Sequence, residues 1–172
     1  MPQSQPPAKR ADSPGNITIH PETPTDESFL FSLYASTREN ELAATGWNET
    51  ARAQFLQLQF RAMRQSYRSM FPNGEFSILQ LDGQAIGRLV VNRTSEEIRV
   101  VDIALLPDYR NRGLGGSLLR SILAEAKDSG RSVRLHVLKG AAAEHLYIRL
   151  GFRAMNDGDL HHQMEWNPNT AA

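Results

Sequence analysis

The sequence predicts an α/β (α+β) domain, with a mixed, twisted central sheet of about seven strands flanked by about four helices. Three observations predict it. Alternating and helical hydrophobic patterns intermix along the chain in the order β-α-α-β-β-β-α-β-α-β-β, which calls for one sheet covered by helices. The pair Asp82-Gly83 joins two strand-like runs, a strong hairpin signal. An apolar run from Val100 to Leu106 stops at Pro107 and passes through a glycine-rich loop into an amphipathic helix.

Residues 1–15 hold four prolines and almost nothing to bury, so a disordered N-terminal tail is expected there. Ile17 to His20 alternates and reads as the first strand. Thr25 or Asp26 offers an N-cap for a helix that buries Phe29, Leu30, Leu33 and Tyr34. Asn48 is the N-cap expected for a second helix, reaching about Phe71, with Phe55, Leu56, Phe60, Met63, Tyr67 and Met70 as a core stripe. Pro72-Asn73-Gly74 stops it. Three strands follow: Phe76 to Leu81, Gln84 to about Arg93, and Ile98 to Leu106.

The next helix shows its apolar face at Leu118, Leu119, Ile122, Leu123 and Ala126, carries Lys127 in its last turn and ends at Gly130. Val133 to Val137 is a buried-looking strand, Ala141 to Leu150 a short helix, and Phe152 to Met155 and His161 to Trp166 are closing strands. The domain is expected to span 16–166, with a frayed C-terminus over 167–172.

The loop Arg112-Gly113-Leu114-Gly115-Gly116 carries the chemistry. Glycines let backbone approach a ligand closely, and the first N–H groups of a helix are unpaired and sit at the positive end of its dipole. Such a start suits a phosphate, with Arg110 and Arg112 adding fixed charge. No Gly-Lys-Ser/Thr ending is present, and no third glycine completes a G-x-G-x-x-G frame, so neither common nucleotide loop fits. A strand–loop–helix gripping a phosphorylated cofactor is the reading.

Composition bounds the function. Lys plus Arg and Asp plus Glu are each 19, a net charge of zero, which argues against a nucleic-acid or acidic-membrane partner. Cysteine is absent, which removes disulfides, Cys–metal sites and thiol nucleophiles. No apolar run approaches membrane-spanning length and no signal-peptide core is seen, so a cytoplasmic protein is expected. His161-His162 does not suggest a metal, because adjacent strand residues face opposite ways.

Arg110-Asn111-Arg112-Gly113-Leu114-Gly115 resembles the R/Q-x-x-G-x-G/A signature of the GNAT (Gcn5-related) N-acetyltransferases. Tyr147-Ile148-Arg149-Leu150-Gly151-Phe152 is similar to that family's Y-x-x-x-G-F segment, and Ile103 to Pro107 to its fourth strand. The resemblance covers roughly residues 16 to 166. It implies acetyl-CoA as acyl donor and direct transfer of its acetyl group to a primary amine of a small-molecule or peptide acceptor. A homodimer is one state it implies.

Carried over position by position, the resemblance implies a diphosphate site at Asn111, Arg112, Gly113, Leu114, Gly115 and Gly116, with Arg110 and Ser117 beside it. It puts the pantetheine arm along Ile103, Ala104 and Leu105, with the Leu105 N–H facing the thioester carbonyl and a β-bulge splaying that strand from the fifth. Tyr147 matches the acid that meets the departing thiolate. For the base, Arg99 stands where histone-type members have a glutamate; this leaves Asp102, and His136 at the matching place of ribosomal-protein-type members. The family's Asn-Pro-Ala is replaced by Ala141-Ala142-Ala143. Glu39, Glu41, Trp47, Arg88, Tyr109, His161 and His162 are acceptor-side candidates by location, and His145 has no assigned place. Two other readings stay open: a non-catalytic acyl-CoA-binding module and a nucleotide-binding regulator unrelated to CoA.

Overall fold

The computed structural model describes residues 17–157 and 160–170; the expected N-terminal tail and Gly158 of the last turn lie outside them. Seven strands, β1 (Ile17–Pro21), β2 (Glu75–Leu81), β3 (Gln84–Arg93), β4 (Glu97–Leu105), β5 (Ser132–Leu138), β6 (Arg153–Asp157) and β7 (His161–Trp166), form one sheet in the order β1-β2-β3-β4-β5-β7-β6. The helices are α1 (Glu27–Ala43), α2 (Glu49–Met70), α3 (Leu114–Ser129) and α4 (Ala142–Arg149). The β4–β5 pair is parallel and the other five are antiparallel, so the sheet is mixed.

Local chemistry sets the boundaries. Asn48 caps α2, its Oδ1 accepting from the Ala51 N–H at 2.9 Å. Before α1, Thr23 and Asp26 form a reciprocal capping box around a 3-10 turn. Asp82 and Gly83 both take positive φ, as a two-residue hairpin between β2 and β3 requires. Gly130 ends α3 in the left-handed region, its N–H reaching the carbonyls of Ala126 and Lys127.

Strand alternation divides the core. On β2, Leu79 joins the α3 side, where Leu118, Leu119, Ile122 and Ala126 meet Val91, Ile98, Val100, Val133 and Leu135. Its neighbour Ile78 faces the other side with Leu30, Tyr34 and Phe60 of α1 and α2. The α2 stripe is narrower than expected. Phe60 is fully buried with Leu56 and Met63 against it, whereas Met70 is 61% exposed and Phe55 packs on Trp47. Tyr67 is half-buried, and its hydroxyl is raised first by burial and then by the charge of the β4 carboxylate described below.

Glu125 fixes α3 to the sheet. It accepts from Arg93 Nε at 2.9 Å and from Arg131 Nη2 at 2.9 Å, and the Arg93 hydrogen bond holds its carboxyl below the usual range. The far end of α3 is thereby tied to β3 and to the start of β5, and its first turn is aimed at the end of β4. Phe60→Ala is expected to lower unfolding free energy in urea by about 3–5 kcal/mol. Met70→Ala is expected to stay within about 0.5 kcal/mol of the parent.

Candidate active site

The site begins where β4 parts from β5. The parallel ladder runs from Glu97–Ser132 to Val100–Leu135 and stops, although both strands continue. At the same point the β3–β4 register slips: Val91 pairs with Val100 and Val90 with Asp102, leaving Val101 as the extra residue of a β-bulge. Past the bulge, the Leu106 N–H donates to the Ile86 carbonyl at 2.9 Å. Hydrogen-bonding direction alternates along an antiparallel strand, so the N–H and C=O of Ile103 and Leu105 turn away from β3 into the gap beside β5. The Leu105 carbonyl is taken by Arg110 Nε at 2.8 Å, which leaves its N–H as the donor facing the gap.

Gly87 makes this geometry possible. A side chain on it would collide with the Ala104 carbonyl and the Leu105 side chain across the pair. It is the one site residue whose need for glycine arises from close approach of a neighbouring strand.

The phosphate-type cradle lies one turn further on. Helix α3 starts at Leu114, so Leu114, Gly115 and Gly116 form its first turn rather than the tail of a loop. The sequence stripe begins only at Leu118 because two of these three residues are glycines and carry no apolar signal. Asn111 and Gly113 take φ of +58° and +79°, which swings the chain into the helix. Ser117 N–H makes the first helical bond, to the Gly113 carbonyl, and no side chain caps the start. The amides of the first turn are therefore unpaired and point outward.

A Cβ at Gly113 or Gly115 would meet nothing within 4 Å. Gly113 needs its positive φ, but Gly115 is needed neither for φ nor for packing. A helix glycine costs about 1 kcal/mol relative to alanine. The open space over it fits a ligand approaching the backbone, and a diphosphate suits that set of donors. The Arg112 guanidinium stacks over Tyr109 at 5.4 Å, while Arg120 lies beside Gly116. An open groove of about 720 Å³ runs from Arg112 and Gly113 along α3 past Ser117 and Arg120 to Arg93 and Glu125, and its lining includes no residue of β4 or β5. Arg110 is occupied differently: besides Leu105 it bonds Ser36 Oγ at 3.1 Å, so it ties the loop to β4 and α1.

Asp102 and Tyr147 interact electrostatically beside the gap. Tyr147 of α4 is buried, packs edge-on to Phe152 at 5.7 Å, and has its hydroxyl pushed up to about 12, first by burial and then by the Asp102 charge. Asp102 accepts from Arg88 through Nε at 2.7 Å and also through Nη2. Arg88, 5% exposed, sits on β3 opposite Ala104, whose small side chain leaves the guanidinium room to reach the carboxylate.

His136 lies on the exposed side of β5. Partial burial, then the Arg99 and His161 charges, lower its pKa, so the ring is neutral at physiological pH. Among the remaining location-based candidates, Glu41 pairs with Arg38, Tyr109 donates to Gln84 at 3.1 Å, and His162 lies 3.3 Å from Glu144. Trp47 is 43% exposed on Phe55, and Glu39 lies on the exposed side of α1. His145 is on the exposed side of α4 and His161 on the exposed side of β7. Sequence reasoning missed Tyr67, Gly87 and the partner of Arg88.

A bulge-split parallel pair, followed by an uncapped glycine helix start, leaves an unpaired strand edge and a set of unpaired helix amides. Residues 72–154 match the family model described as an acetyltransferase (GNAT) domain. That match, over just under half of the chain, and this fold support a likeness to the GNAT superfamily. The PaiA N-acetyltransferase of Thermoplasma acidophilum, solved with coenzyme A, is similar in fold: TM-score 0.65, 18% identity, 88% of this chain and 99% of that one covered. The ribosomal-protein-S18-alanine N-acetyltransferase of Escherichia coli aligns at TM-score 0.59 and 22% identity over 91% and 97% of the two chains. A GNAT family acetyltransferase of Elizabethkingia anophelis with acetyl-CoA bound aligns at 0.53 and 18% over 88% and 98%. Among the described residues, no helix is long and apolar enough to cross a membrane.

In spectrophotometric titration of the folded protein, one tyrosine is expected to ionise near 12, above the ordinary value near 10. Its step should vanish in Tyr147→Phe and move to lower pH in Asp102→Asn, because removing the carboxylate removes a charge that opposes the phenolate.

Proposed function

We propose that this protein transfers an acetyl group from acetyl-CoA directly to a primary amine. The single observation that carries the reading is the open gap between β4 and β5 leading straight to the uncapped first turn of α3. A thioester and its pantetheine arm need an unpaired strand edge to lie along, and a diphosphate needs unpaired amides at the end of it. Acetyl-CoA, when bound, supplies the activated acyl group and a stable leaving thiol.

The residues divide the work. The amides of Gly113, Leu114, Gly115 and Gly116 hold the diphosphate, with Asn111 shaping the turn, Arg112 and Ser117 at its rim, and Arg110 locking the loop against β4. Ile103, Ala104 and Leu105 offer the edge that orients the pantetheine. The Leu105 N–H, fixed because Arg110 holds the same residue's carbonyl, stabilises negative charge developing on the thioester oxygen.

An acceptor ammonium loses one proton to become a nucleophile. Its nitrogen bonds the carbonyl carbon, the carbon–sulfur bond breaks, and a second proton leaves the nitrogen. The thiolate takes up one proton, and the sum is amide, thiol and one released proton. Tyr147, held protonated, donates a hydrogen bond to the departing sulfur. A thiol titrates near 8.5, so complete proton loss from a hydroxyl near 12 would be uphill by about 5 kcal/mol. Tyr147 therefore shares its proton with the sulfur and is restored as solvent or the amine supplies one. Asp102 is the carboxylate at the reacting end, and neutral His136 is the second group able to accept the amine proton.

The same geometry would serve a non-catalytic acyl-CoA-binding module, so binding and turnover are measured separately. Calorimetry is expected to show acetyl-CoA binding at a single site, and Gly113→Glu to abolish it by putting bulk and negative charge where the diphosphate lies. Tyr147→Phe is expected to lower turnover about 10–100-fold with affinity for acetyl-CoA nearly unchanged. An unchanged rate in that variant would remove Tyr147 from the chemistry.

A further inference from the structure

The pair Arg88–Asp102 is placed where a structural ion pair gains least. Its guanidinium is 5% exposed, and both donors that reach the carboxylate, Nε and Nη2, meet the same oxygen, Oδ2. Arg88 Nη2 is also 3.7 Å from Met63 Sδ, so the cation is enclosed behind α2. The Asp102 side chain keeps 22% exposure. One charged partner is thus hidden and the other is held at an opening. Burying a cation is costly, and the hydrogen bonds that offset the cost here also hold the carboxylate in one direction.

Asp102 follows the bulge residue Val101 and precedes Ile103, Ala104 and Leu105, so it sits at the reacting end of the gap. Its charge is felt by two aromatic hydroxyls, Tyr147 from α4 and Tyr67 from α2, both already raised by burial. Met63 and Tyr67 come from successive turns of the same helix; Met63 packs against the Phe60 cluster and Tyr67 is half-buried. Arg88 is too enclosed to reach a ligand. Arg38, the other cation whose charge Tyr67 feels, is engaged by Glu41 at 3.0 Å. A carboxylate-bearing acceptor would find no free cation in this cluster.

We infer that Asp102, aimed by Arg88 and flanked by Tyr67 and Tyr147, anchors the acceptor's ammonium group, and that the acceptor is a primary amine whose amine-bearing carbon carries no carboxylate. This deepens the acetyltransferase reading and rests on it. Asp102 touches the acceptor; Arg88 is a positioning residue that acts through Asp102; Tyr67 sets the wall against which the acceptor's carbon chain lies. Monoamines with an apolar body, amidated or peptide-linked amino termini and lysine side chains fit this chemistry, and free α-amino acids do not.

The test measures thiol release from acetyl-CoA with matched amines: tyramine against tyrosine, alaninamide against alanine, and Nα-acetyl-lysinamide. Acetyl-CoA affinity is followed in parallel by calorimetry. At least one carboxylate-free amine is expected to be acetylated, with kcat/KM at least tenfold above that of its amino-acid counterpart where it has one. Asp102→Asn is expected to raise KM for that amine at least tenfold while the acetyl-CoA Kd stays within twofold. Because Asp102→Asn strands the Arg88 cation, the double variant Arg88→Gln/Asp102→Asn is measured beside it and is expected to show the same rise in KM. Tyr67→Phe should keep the amine preference, and Tyr67→Ala should lose several-fold in KM for tyramine but not for alaninamide. Preference for the free amino acids, an unchanged amine KM in both Asp102 variants, or tight acetyl-CoA binding with no acetylation of any carboxylate-free amine would each overturn the inference. Failure of the parent protein to bind acetyl-CoA would overturn the acetyltransferase reading itself, a separate result read from the calorimetry alone.

Discussion

Everything at the candidate site depends on one interruption: β4 is hydrogen-bonded to β5 only from Glu97 to Val100 and then leaves it at the Val101 bulge. A continuous ladder would satisfy the Ile103 and Leu105 amides within the sheet and leave nothing for a ligand. The interruption is held open from both sides. Gly87 lets β3 and β4 approach closely just past the bulge, and the Arg88–Asp102 pair clamps the first residue after it. On the far side, Arg110 occupies the Leu105 carbonyl, so one group of that peptide is satisfied and the other stays free. Bulges beside functional sites commonly re-aim a strand in this manner.

The charges are distributed to match. The chain is neutral overall, and its ion pairs mostly tie structure together, as with Glu125 between Arg93 and Arg131, or Glu22 between Arg64 and Arg68. At the start of α3 the pattern differs. Arg112 and Arg120 stand beside unpaired amides at the positive end of a helix dipole, an arrangement that suits an anion. Beside the opening to β5, the charge of a single oriented carboxylate reaches two tyrosine hydroxyls already raised by burial. The two ends of the gap thus offer opposite charge to the two partners of an acyl transfer, separated by an uncharged strand edge.

The sequence made the frame legible and hid the pairings. Strand and helix order, the Asp82-Gly83 hairpin, the Asn48 cap and the Gly130 stop could be read because each depends on residues close in sequence. The first turn of α3 was hidden, since Gly115 and Gly116 contribute no hydrophobic period. The insertion of β7 between β5 and β6 is a long-range pairing that no local pattern encodes. Tyr67 reads as one more member of a core stripe, and that the charge of Asp102 reaches it depends on a register slip the sequence does not show. Arg88 and Asp102 meet for the same reason, across a strand pair whose register includes the extra residue.

The most direct measurement is a titration of isotope-labelled protein with coenzyme A, following backbone amides by NMR. The account predicts that the amides of Gly113, Gly115 and Gly116 shift strongly and saturate at one equivalent, with Leu105 shifting alongside them. Saturable binding that leaves those four resonances in place, while amides elsewhere move, would contradict it.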